Sequence, residues 1–285
     1  MTQTELSSVP MRVMPGSPLN AGSAAHAVTL GAMLFCAALL PVTAVSYLMD
    51  ERLVNGVNVW TKPLKFELSL AVHFLTLALM FNLLSEGARG SRLVRWALYA
   101  AAVSCVAEIS YIVLQSARGR ASHFNAETQI ESALYNVMGV GALILTIAPI
   151  VIGIQLWRSS RADIGPGLRR GAALGLVLGG VATIFTAGFL SSSFIVETGR
   201  WVNGVRNDAN GIPIMGWSGT GGDLRVSHFF ALHIMQALPV LGLIADRWAK
   251  RHQIFVVNAG VAVWLLIVCG TFWQAVSGRP FIALG

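Results

Sequence analysis

Residues Glu108 to Asn125 read EISYIVLQSARGRASHFN, and this stretch decides how the chain must fold. It leaves an apolar run and ends in two arginines, a histidine and an amide. Glu108, Tyr111, Gln115 and Arg118 are spaced by three or four, so they share one face of a helix. A carboxylate facing lipid costs on the order of several kcal/mol, so that face must look into a bundle. The end of the stretch, Gln115-x-x-x-Gly119-Arg120, recurs as Gln274-x-x-x-Gly278-Arg279, which points to a chain built twice.

The surroundings fit a bundle. Of 285 residues 55% are hydrophobic and only 12% charged, and mean hydropathy is +0.66. So little polar surface cannot cover a soluble protein of this length, and the apolar runs are long enough to span a bilayer. The expected class is an all-α polytopic membrane protein. The net charge of +7 lies in short connecting segments, where it is a topology signal and not a nucleic-acid footprint. Cys36, Cys105 and Cys269 sit inside apolar runs without CxxC or CxxCH spacing, which argues for packing and against a disulfide framework, a thiolate metal site or attached haem.

Residues 1–25 are polar and are expected to form a flexible tail ahead of a transmembrane domain over 26–285. The run at 26–49 exceeds a signal-peptide core of about 7–15 residues and is expected to stay as the first span. Further spans are expected at 63–85, 93–117, 129–157, 171–192, 223–245 and 255–276, seven in all. Pro63 suits the first turn of the second helix, and Gly165-Pro166-Gly167 breaks the chain before the fifth. Gly171, Gly175 and Gly179 form a small-residue stripe that lets another helix come close. Residues 193–222 make a long outer loop with Trp201 and Trp217, a lid or an interfacial flap. Just over half of the 20 Lys and Arg fall with the N-terminus and the connections after the second, fourth and sixth spans. This places the N-terminus in the cytoplasm and the C-terminus outside, in a bacterial-type inner membrane.

Seven spans can be arranged as a 3+1+3 parallel repeat, with halves over about 26–120 and 168–280 and a linker helix over about 129–157. Aligning the halves pairs Lys65 with Arg225, His73 with His233 and Glu86 with Asp246, and a one-residue shift pairs the two Gln-x-x-x-Gly-Arg segments. Chance agreement between apolar segments accounts for paired Leu and Ala, but less readily for His, Gln and Gly-Arg. His73 and His233 then lie about 14–15 Å below the same membrane face, at the depth of Glu108. Taken singly, each histidine reads as a core residue bonded to a backbone carbonyl. Together with Glu108 they read as a buried polar layer.

Above that layer lie Lys62, Lys65, Gln115, Arg118, Arg120, His123, Asn125, His228, Gln274 and Arg279. Snorkelling to the headgroups accounts for Lys62, Arg120 and Arg279, but less well for Gln115 or for His123-Phe124-Asn125. Glu108, Arg118 and His123 are the candidates for catalytic or proton-handling roles. His73, His233, Lys65, Gln115, Gln274 and Arg279 are the candidates for holding a cofactor or ligand. Such a set suits a haem propionate, a quinone head group or another small anionic ligand.

No lysine lies mid-helix, which excludes a retinal Schiff base. No GxxxxGK[ST], GxGxxG after a strand, HExxH or GxSxG occurs, so the matching phosphate-loop, dinucleotide, zincin and nucleophile-elbow chemistries have no support. Two classes remain. One is a redox protein with haem b between His73 and His233, or a transition metal held by His73, His233 and Glu108. The other is a proton-coupled transporter of a small anionic or polar solute, with no cofactor. An accessory subunit presenting a polar face to a partner is the third.

Overall fold

The structure, a computed structural model, describes residues 18–125, 127–191, 200–209 and 211–284. In chain order the elements are α1 (Pro18–Met49), β1 (Leu53–Val54), β2 (Val57–Asn58), α2 (Thr61–Phe81), α3 (Glu86–Arg89), α4 (Arg92–Ala117), α5 (Gln129–Arg158), α6 (Pro166–Ser191), β3 (Trp201–Val202), β4 (Gly222–Asp223), α7 (Leu224–Trp248) and α8 (Gln253–Val276). All helices but α3 are long and apolar enough to cross a membrane, which makes seven spans among the described residues and an integral membrane bundle. The strands form two antiparallel ribbons, β1 with β2 and β3 with β4.

Local chemistry sets the helix ends. Ser91 and Thr128 accept hydrogen bonds from the main-chain N–H of Val94 and Glu131, and Asp223 caps α7 through the N–H of Arg225. The N-terminus of α6 is capped from another helix: both Asp246 oxygens accept, from Gly167 N–H and Leu168 N–H, at 2.8 Å each. A carboxylate there also complements the helix dipole.

Several boundaries differ from the sequence expectation. The helix expected from residue 26 already begins at Pro18, so residues 18–25 are helical and not tail, while 1–17 lie outside the described residues. Ala25 is fully buried and the His26 ring stacks on Phe81 at 5.4 Å, so packing extends the helix beyond the apolar run. The second span ends at Phe81 and not at Ser85. Leu84 and Ser85 turn away to bond the segment after α5, with Ser85 N–H donating to Ser159 O. Residues 192–199 of the expected loop lie outside the described residues.

Packing divides the helices into two groups of three. α1, α2 and α4 pack together, α6, α7 and α8 pack together, and α5 runs between them against α4, α6 and α2. This is the arrangement a 3+1+3 repeat requires. The glycine stripe does what its spacing implies. A Cβ on Gly171 would lie 2.2 Å from Leu238 O, and one on Gly242 would lie 2.3 Å from Gly167 O, so α6 and α7 touch backbone to backbone.

Candidate functional site

Three expected residues approach α5 at successive heights. The His123 ring lies against Tyr135 at 6.1 Å and against Phe66 of α2 at 5.6 Å. Further along α5, Glu108 of α4 faces Gly141, whose missing side chain lets the carboxylate approach: Oε1 stands 2.7 Å from where a Cβ would be. One turn beyond, the His73 ring faces the Leu145 backbone carbonyl. Gly141 and Leu145 are four residues apart, close to one turn, while Tyr135 lies six residues before Gly141 and about 120° round the helix; the rise between successive levels is about 9 Å and 6 Å. His123, Glu108 and His73 thus form a polar column between α2, α4 and α5, running from the loop end to mid-membrane depth.

The column is sparsely satisfied. Glu108 is 5% exposed and accepts no hydrogen bond from any described residue; its nearest cation is Lys62, which faces it electrostatically without an ion pair. Nε2 of His73 is buried and has no hydrogen-bond partner among the described residues. Lys62 lies over the Phe66 ring at 5.5 Å. Burial, then the charges of Lys62 and Arg200, hold the His123 imidazole well below its usual 6.5, so it is neutral in the fold.

His233 stands apart from this column. Its ring packs on Phe229 at 4.3 Å, and its neighbour one turn on, Gln236, donates to Thr76 Oγ1 of α2 at 3.1 Å. Thr76 and Gln236 are 160 positions apart, the offset of the expected repeat, so equivalent positions of the two halves meet. His73, however, turns to α5 and not to α7. Among the described residues no group of three or more His, Cys, Asp and Glu is close enough to hold a metal ion. The three-ligand set His73, His233 and Glu108 is therefore not assembled.

The two Gln-x-x-x-Gly-Arg segments are helix terminators. Gly119 and Gly278 have φ of +70° and +73°, and each follows the last residue of its helix cap. Gly119 N–H donates to Ser116 O and Arg120 N–H to Gln115 O; Gly278 N–H donates to Ala275 O and Arg279 N–H to Gln274 O. This is the Schellman pattern, in both cases reinforced by the glutamine amide six residues back: Gln115 Nε2 donates to Ala121 O and Gln274 Nε2 to Pro280 O. Gln115 also donates to Glu131 and receives Arg118 Nη1, so its amide is fully used at 0% exposure. Gln115 is not free to hold a ligand, Gln274 is half-buried with its Nε2 engaged, and Arg118 and Arg279 are exposed. Gln274 is engaged by the C-terminal segment through Pro280 O, and among the described residues the ring contacts of His123 are with Phe66 and Tyr135. His228 packs α7 on α6 through Thr186 at 3.1 Å.

Over the outer end sits the α6–α7 connection, with residues the sequence reading passed over. Lys65 Nζ donates to Met215 O at 2.9 Å, and Arg225, its counterpart in the repeat, donates through Nη2 to Gly216 O at 2.8 Å. Arg200 and Arg225 share Asp208. The signal was present: Arg52-Leu53-Val54-Asn55-Gly56-Val57 recurs as Arg200-Trp201-Val202-Asn203-Gly204-Val205. Both Asn-Gly pairs take left-handed turns, with φ of 52° and 79° in the first and 59° and 73° in the second.

Compared with protein-family models, with curated proteins and with solved structures, the chain matches none.

Proposed function

We propose that the protein is a proton-coupled carrier of a small anionic solute, with the α5 column as its proton-handling element. One observation carries this reading: Glu108 and His73 meet successive turns of α5, both buried, and among the described residues no hydrogen bond reaches the carboxylate of the first or Nε2 of the second. A buried acid without a partner is most easily accommodated protonated, and a neighbour one turn away can take its proton. Lys62, and Arg200 beside it, supply the positive charge that draws an anion to the loop end. The two three-helix groups on either side of α5 supply the halves that a rocking carrier needs.

The test is solute-driven proton movement in proteoliposomes. Glu108→Gln is expected to abolish it while leaving the protein folded, and His73→Gln to slow it by at least about a hundredfold, the lower end of what a positioned proton donor contributes. Undiminished coupling in Glu108→Gln would end the reading. A redox protein with haem b on His73 and His233 is the second reading, favoured by the free Nε2 of His73 alone. The absorbance spectrum of the same preparation decides it: a Soret band lost in both His73→Ala and His233→Ala supports haem, and a colourless protein excludes it.

A further inference from the structure

Asp208 is held in a way that describes a ligand. Its Oδ2 accepts from Arg200 Nη2 at 2.8 Å and its Oδ1 from Arg225 Nη2 at 2.9 Å, so each oxygen is taken by a different guanidinium, and its side chain is only 10% exposed. Arg225 has a second acid, Asp223, at 2.6 Å, which is also committed to capping α7. Arg200 has none among the described residues, and its buried Nε has no partner. Lys62 and Lys65 both lie within electrostatic reach of Arg200 and Asp208. Among the described residues Lys62, Lys65, Arg200 and Arg225 thus face Asp208, Asp223 and, at Lys62, the buried Glu108, and Asp223 is spent as a cap. Sheltered positive charge in excess leaves a place for one more anion.

We propose that the solute of the polar column carries a carboxylate, and that Asp208 holds its place between Arg200 and Arg225 until it arrives. This rests on the carrier reading above. Two guanidinium groups giving one donor to each oxygen match a planar carboxylate, which presents two oxygens in one plane. Arg200 joins the two sites, because it pairs with Asp208 on the loop side and faces Lys62 and His123 on the column side. Asp208 belongs to the connection and not to a span; its N–H is tied to Asn55 O of the β1–β2 turn at 3.0 Å. Its carboxylate can be displaced while α2 and α7 stay in place.

The experiment is thermal unfolding of the full chain in detergent, titrated with sodium acetate, sodium phosphate or sodium chloride at matched ionic strength. Asp208→Ala removes the internal competitor. It is expected to melt below wild type in chloride and to be restored saturably by acetate, with half-saturation about tenfold lower than wild type, as follows when a competing state that holds about nine-tenths of the molecules is removed. Arg200→Gln is expected to lose the acetate response. Should Asp208→Ala fail to fold, Asp208→Asn, which keeps the side-chain shape, gives the same readout. Equal effects of acetate and chloride, or a larger effect of phosphate, overturn the proposal. An acetate response without solute-coupled proton movement leaves the carboxylate site standing and removes the carrier. Coupled movement of phosphate without an acetate response does the reverse.

Discussion

His123 illustrates what one residue can reveal by titration. Its charged form is disfavoured first by burial and then by Lys62 and Arg200, so its folded pKa lies well below 6.5 while the unfolded chain keeps the ordinary value. Between those two values the unfolded state binds more protons than the fold. The stability tied to a neutral His123 is therefore complete above about pH 6.5 and is lost as pH falls towards the folded pKa. Melting temperatures of wild type and His123→Gln, taken from about pH 7.5 to pH 5, are expected to draw together as pH drops, with wild type losing more. Parallel curves would refute the buried neutral imidazole. Sequence reasoning found His123 because snorkelling did not explain it. Gln115 stood out on the same ground and reads as a ligand contact, whereas Gly119 directly past the helix end is the mark of a terminator whose orphan carbonyls the amide helps to organise. The column itself was illegible, because the partners of Glu108 and His73 on α5 are Gly141 and a main-chain carbonyl. Neither leaves a side-chain signature.

Helices were the most legible elements, since an apolar run long enough to span a bilayer has few other uses. Their ends were less so. α1 outruns its apolar segment because Ala25 and His26 find packing partners, and α2 stops early because Leu84 and Ser85 bond across to the α5–α6 connection. Both effects come from tertiary contacts that no local pattern encodes. The α6–α7 pair is the place where an element-scale prediction is sharpest. Gly171→Ala would bring a Cβ to 2.2 Å from Leu238 O, a backbone atom that moves only if the helices part. A loss of about 1–3 kcal/mol, the usual range for overpacking, is expected in unfolding by denaturing detergent. Gly188→Ala is the control, with nothing within 4 Å of its new Cβ on the same helix, and it is expected to match or slightly exceed wild type. Equal stability of the two variants would mean that α6 and α7 are not in backbone contact.

At the scale of the molecule, the repeat extends beyond residue pairs to how pieces dock. In the first half Arg52 donates to Ala117 O and its Nη1 lies 3.3 Å from the position of a Cβ on Gly119. In the second, Asn203 Nδ2 lies 2.3 Å from the position of a Cβ on Gly278. Each Arg-x-Val-Asn-Gly-Val turn thus sits on the glycine terminator of the third helix of its own half. The turns, terminators and α6–α7 connection gather at one end, while the connections after α3, α5 and α7 meet at the other, where Ser85 bonds Ser159 and Asp246 caps α6. Seven spans require these ends to lie on opposite faces of the membrane. In a background with Cys36, Cys105 and Cys269 replaced, single cysteines at the exposed positions Glu51, Arg206 and Ile282 are expected to react together with a membrane-impermeant maleimide in intact cells. Cysteines at Glu86, Ala162 and Lys250, also exposed, are expected to react only after the membrane is opened. This sense is expected from the excess of basic residues around the second set, Arg158, Arg161, Arg247 and Arg251 among them. The opposite sense, with the second set reactive from outside, would reverse the direction in which the Arg200–Asp208 site faces. Mixed labelling within either set would break the seven-span arrangement itself, and with it the parallel halves on which the pairing of Thr76 with Gln236 depends.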